Sequence, residues 1–93
     1  MPINTKSSSP YVKLISEYTL GGDYCFLYSV CETLRVEIID KNNKFYSVSN
    51  YDVCLISERN GREFIKSFKT FKKALSFIET NYVPNSLKFI EKL

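Results

Sequence analysis

The sequence contains no histidine and no tryptophan. Without an imidazole, neither a Ser-His-Asp nor a Cys-His nucleophilic arrangement can be built, and a metal would have no histidine ligand. Glycine occurs only as Gly21, Gly22 and Gly61. No glycine-rich loop is therefore available to cradle a phosphate, and no nucleotide-binding fingerprint is present. The three cysteines, Cys25, Cys31 and Cys54, are odd in number and lack paired spacing. That argues against a disulfide framework, and the set does not resemble a zinc site. No apolar run extends much beyond Cys25–Tyr28, so no stretch reads as a membrane span. The first ten residues, MPINTKSSSP, lack the apolar region of a secretory signal, and no Asn-x-Ser/Thr acceptor occurs. These absences point to the reduced cytoplasm, with no cofactor, no metal and no enzyme activity expected.

What is present is an ordinary globular composition, 44% hydrophobic and 25% charged over 93 residues, which suits one domain. Residues 1–10, polar and bounded by Pro2 and Pro10, read as a flexible N-terminal tail, and 11–93 as a single α+β domain. The net charge of +3 is small, but its distribution is uneven. From Arg59 to Lys73, six basic residues stand against Glu63 alone, whereas Tyr11 to Glu58 carries four basic and seven acidic residues.

The stretch Arg62–Tyr82 organises the rest. It reads as a strand running into a helix, with Phe71, Ala74, Leu75, Ile78 and Tyr82 at helical spacing and Lys69, Lys72, Lys73, Ser76 and Thr80 opposite. Thr70 is the expected N-cap, and the helix should stop near Asn81, before Pro84. A short terminal helix is expected from Asn85 or Ser86, with Leu87, Ile90 and Leu93 on one face.

Upstream, the pattern predicts antiparallel strands. Tyr11–Leu20 is followed by Gly21-Gly22, a strong hairpin signal, then by Tyr24–Cys31. Closing on the glycines pairs Leu20 with Asp23, Tyr18 with Cys25, Ser16 with Leu27 and Ile15 with Tyr28. A two-residue turn at Glu32-Thr33 would pair Cys31 with Leu34, Ser29 with Val36 and Leu27 with Ile38. One apolar face would then run from Val12 and Leu14 through Tyr18, Cys25, Leu27 and Cys31 to Leu34, Val36 and Ile38. A bulge there is the alternative, because Glu-Thr is poor turn chemistry. Asp40–Lys44 reads as a turn, Phe45–Ser49 as a short strand, Val53–Ser57 as another. Asn60-Gly61 then turns into Arg62–Phe68, which should carry Phe64 and Phe68 on one face. A two-residue turn sets Glu58 against Glu63 and Arg59 against Arg62, so a three-residue loop is the competing register. The expected fold is thus an antiparallel meander of five to six strands, twisted or curled, followed by one amphipathic helix. The two-sided apolar character of strands two and five implies that the sheet curls or that the protein forms a homodimer.

Two groups of residues stand out as candidate partner-binding sites. The aromatics Tyr24, Phe26 and Tyr28 alternate along the second strand, where they could anchor a protein interface or stack bases. Arg59, Arg62, Lys66, Lys69, Lys72 and Lys73 form a basic run suited to phosphates or to an acidic protein surface. Acid pairs such as Glu37 with Asp40, or Glu58 with Glu63, fit exposed strand ends better than acid–base or Mg²⁺ chemistry. The favoured reading is a small non-enzymatic protein that engages another protein. Its size and its heavy use of Lys, Asn, Ile, Tyr, Phe and Ser fit the inhibitors and modulators, anti-defence or anti-CRISPR in type, that phages and mobile elements encode. The alternative is a nucleic-acid-binding module using residues 59–73.

Overall fold

A computed structural model describes residues 4–41, 50–84 and 87. Five strands, β1 (Val12–Leu20), β2 (Asp23–Val30), β3 (Leu34–Asp40), β4 (Tyr51–Ser57) and β5 (Gly61–Phe68), form one antiparallel sheet in the order β1-β2-β3-β4-β5. Helix α1 (Phe71–Asn81) follows and crosses one face over β3, β4 and β5. The described residues therefore form an α+β fold, an antiparallel meander followed by helix α1. Five strands rather than six are found among the described residues. The strand expected at Phe45–Ser49 lies outside them, as does most of the terminal helix expected from Asn85 onward.

The helix forms where its stripe and cap predict. Thr70 is extended at φ −131° and its hydroxyl accepts from the Lys73 N–H at 3.2 Å, satisfying one of the unpaired donors of the first turn. Phe71, Ala74, Leu75 and Ile78 are buried against the sheet, whereas Tyr82, the C-cap, is only half-buried. The stripe is wider than the spacing suggested, since Phe77 packs on Phe68 (5.1 Å) and on Tyr82 (5.9 Å).

Registers follow the turns. Gly21 (φ 58°) and Gly22 (φ 88°) supply the left-handed pair that a two-residue hairpin needs, and Leu20–Asp23, Tyr18–Cys25 and Ser16–Leu27 pair as expected. Ile15 does not pair with Tyr28. The register slips by one residue between Leu14 and Ser16, and Leu14 takes that place. The second turn corrects the expected pairing more seriously. Val30 pairs with Leu34, Tyr28 with Val36, Leu27 with Glu37 and Phe26 with Ile38, around a three-residue loop. Cys31 (φ 52°) and Glu32 (φ 61°) adopt left-handed backbone there, and the Thr33 N–H bonds the Val30 carbonyl at 3.2 Å. One extra loop residue turns the neighbouring strand over. The single apolar face expected across three strands is therefore split between the two sides of the sheet.

At the third turn the three-residue register holds, with Ser57 opposite Gly61 (φ 66°), so the like charges at 58/63 and 59/62 do not face each other. A second slip between Val53 and Cys54 leaves Ile65 unpaired in β5. Phe64 and Phe68 consequently end on opposite faces, against expectation. Both edge strands thus carry a bulge at an isoleucine. Bulged, twisted edges resist pairing with further strands.

The main core lies between sheet and helix. Val12, Phe26, Tyr28, Val30, Val36, Ile38 and Val53 meet Phe71, Ala74, Leu75 and Ile78, and Val83 adds to them. Residues 4–10 lie beside this core: the Tyr28 hydroxyl donates to the Thr5 carbonyl, and Ser8 Oγ donates to Glu79 Oε2 at 2.6 Å.

Candidate interaction surface

The registers place residues on the face opposite α1 in cross-strand rows. Lys13, Ser29, Arg35, Ile56 and Arg62 make the first; Ser16, Leu27, Glu37, Cys54 and Phe64 the second; Tyr18, Cys25, Ile39, Asp52 and Ser67 the third; Leu20 and Asp23 the last. No element among the described residues covers this face.

At its centre sits Glu37, fully buried although its strand face is open. The burial comes from side chains reaching in from both edges. Arg62 on β5 donates through Nε to Glu37 Oε1 at 2.6 Å and through a terminal nitrogen to Oε2 at 2.9 Å. Tyr18 on β1 donates its hydroxyl to Oε2. A two-pronged arginine–carboxylate pair is the strong, directional form of an ion pair. The hydrogen bond to Glu37 pushes the Arg62 guanidinium to even higher pKa, against the opposing effect of burial. Around the triad, Cys25, Ile39 and Cys54 make a second small core, with Tyr18 packed on it. Burial raises both thiols; at Cys54 the Glu37 carboxylate raises it further, while Arg62 works in the opposite direction. These cysteines are packing groups, as an inert buried thiol should be. Further out, Leu27 and Ile56 are half-buried, Leu20 is 46% exposed and Phe64 is 59% exposed.

The residues singled out from sequence fall elsewhere. Phe26 and Tyr28 lie under α1 and cannot form an open aromatic face; Phe26 packs edge-on against Phe71 at 5.0 Å. Burial, with the Glu17 and Glu79 charges, raises the Tyr28 phenol well above its ordinary value. Tyr24 alone of the three is exposed, its ring 5.2 Å from that of Phe26. The basic run is divided as well. Arg59 sits in the β4–β5 loop, and Arg62 is committed to Glu37. Lys66 lies on the helix side with its ammonium 5.5 Å from the Phe68 ring centre. Lys69, Lys72 and Lys73 are exposed around the start of α1. Seven residue steps lead from Arg62 to Lys69, roughly 23 Å at ~3.3 Å each, so the run is not one compact patch. The acid pairs also come apart. Glu37 and Asp40 point to opposite faces, while Glu63 pairs with Leu55 rather than with Glu58.

The Glu37 triad was missed in the sequence. Its only trace is a lone acid in the otherwise apolar stretch Val36–Ile39, and its partners lie 19 and 25 residues away. Among the described residues, no group of three or more Cys, Asp or Glu could hold a metal ion, and no helix is long and apolar enough to cross a membrane. The chain matches no known protein family, and no curated protein or solved structure is similar to it.

Proposed function

We propose that this is a small non-enzymatic binding domain that engages protein, and that its contact surface is the sheet face opposite α1. The observation that carries the reading is an apolar rim of Leu20, Leu27, Ile56 and Phe64, which no element among the described residues covers, around a Glu37 carboxylate that is already paired. Exposed apolar patches rimmed by polar groups mark interaction sites. Both carboxylate oxygens of Glu37 already accept hydrogen bonds, so covering the face strands no carboxylate acceptor there. The narrower role of inhibitor or modulator, including the anti-defence type, is supported by size and composition alone.

Nucleic-acid binding through residues 59–73 is the competing reading. The division of the basic run disfavours it, and a salt titration with duplex and single-stranded DNA and RNA tests it. The proposed function predicts no binding at low salt. Binding whose log K falls against log salt with a slope of about −4 to −5 on duplex DNA, and which is lost on replacing Lys66, Lys69, Lys72 and Lys73 together by Ala, would establish the competitor instead.

A further inference from the structure

The open face is polarised along its strands. Its first row carries three cations, Lys13, Arg35 and Arg62, whereas its carboxylates Asp23 and Asp52 lie in the last two rows, where Lys41 is the one cation among the described residues. Within the chain, Arg62 is taken by Glu37, and Asp52 is shared with Ser67 and with Lys41 at 3.9 Å. Lys13, Arg35 and Asp23 make no ion pair among the described residues. One end of the face therefore keeps positive charge and the other keeps a carboxylate, with Leu27, Ile56 and Phe64 between.

Such a face complements itself. A two-fold axis lying in the interface and running across the strands turns the second copy over and reverses its strand ends. The cationic row of each copy then meets the acidic end of the other, twice by symmetry. The area suffices. Five strands ~4.8 Å apart and about seven residues long at ~3.3 Å each cover roughly 550 Å² in projection. Side-chain relief raises the accessible area above its projection, toward the ~800 Å² per partner of a standard stable interface. At the centre of that contact the Glu37 carboxylate is already buried and paired with Tyr18 and Arg62.

Resting on the protein-binding reading above, we propose that the partner of this face is a second copy of the chain, in a face-to-face antiparallel dimer with both α1 helices outward. Aligned packing of the two sheets at about −30° is the expected geometry.

Analytical ultracentrifugation of the full chain across micromolar to millimolar concentration tests it. A monomer–dimer equilibrium is expected, weakened by salt. Arg35→Asp and Asp23→Arg should each weaken association by about tenfold through like-charge contact, and the double variant should recover most of the loss. Circular dichroism confirms that each variant folds. Phe64→Glu, at an exposed position outside the charge pairs, provides a second disruption. A monomer at every concentration, or a double variant no better than either single one, overturns the second copy as partner. If the monomer instead cross-links to another protein and Phe64→Glu abolishes that, the protein-binding reading survives while the dimer does not. If neither occurs, both fall.

Discussion

Glu37 concentrates the chemistry of the open face in one side chain. Its carboxylate is wholly buried, while the Arg62 side chain keeps 37% of its surface. The two partners are therefore unequal. Removing the arginine strands a buried negative charge with only Tyr18 to stabilise it, which should cost about 3 kcal/mol. Replacing Glu37 leaves a guanidinium that can turn to water, so Glu37→Met should cost less than Arg62→Met. The double replacement by Met should be close to the wild type. Urea unfolding of the three variants checks the order, and equal losses for the two single variants would contradict it. At Tyr28 the prediction concerns pH. The unfolded phenol ionises at its ordinary value of 10.0, and the folded one holds its proton to higher pH because it is buried. Stability contributed by Tyr28 is complete below pH 10 and is lost as pH rises through the folded value. Tyr28→Phe should be less stable at neutral pH, through loss of the bond to Thr5, yet fall less steeply above pH 10. Thiol labelling near neutral pH should modify Cys31, which is half-buried, well before Cys25 and Cys54.

Among the elements, the turns decide the faces. Cys31 and Glu32 occupy left-handed backbone without being glycine or asparagine, a conformation that costs roughly 1 kcal/mol per residue. Glu32→Gly should therefore raise stability by about 0.5–1 kcal/mol, despite the added freedom of the unfolded chain. Thermal unfolding measures this, and a loss would contradict the turn geometry. Thr70→Ala should lower stability by about 1 kcal/mol through loss of the N-cap bond. The helix, its cap, the Gly21-Gly22 hairpin and the order of strands were legible in the sequence, because each depends on residues close together in the chain. The faces were not. Ile15 and Ile65 leave the ladder through bulges that no turn residue announces, and Glu32 accepts a conformation that composition argues against. Each such slip exchanges the two sides of a strand. That is why Phe26 and Tyr28 belong to the core, and why the triad made by Tyr18, Glu37 and Arg62 was hidden. The basic run 59–73 was plain to see, but its contiguity along the chain did not survive folding.

At the scale of the whole molecule, the helix and residues 4–10 lie on one side of the sheet, and among the described residues no element covers the other. The two sides predict different behaviour. Substituting Ile78 by Ala, in the helix core, should cost about 2–5 kcal/mol and unfold a large part of the population under mild denaturant. Substituting Phe64 by Glu should change monomer stability by no more than about 0.5 kcal/mol, because the ring is largely in water. The most direct test of where this molecule makes contact is a dilution series of ¹H–¹⁵N spectra between 1 mM and 20 μM. The account predicts concentration-dependent shifts at Leu20, Leu27, Arg35, Ile56 and Phe64, with Lys66, Lys69, Lys72 and Lys73 unmoved. Shifts confined to α1 and the lysines would contradict it, and spectra that do not change at all would overturn the second copy as the partner of that face.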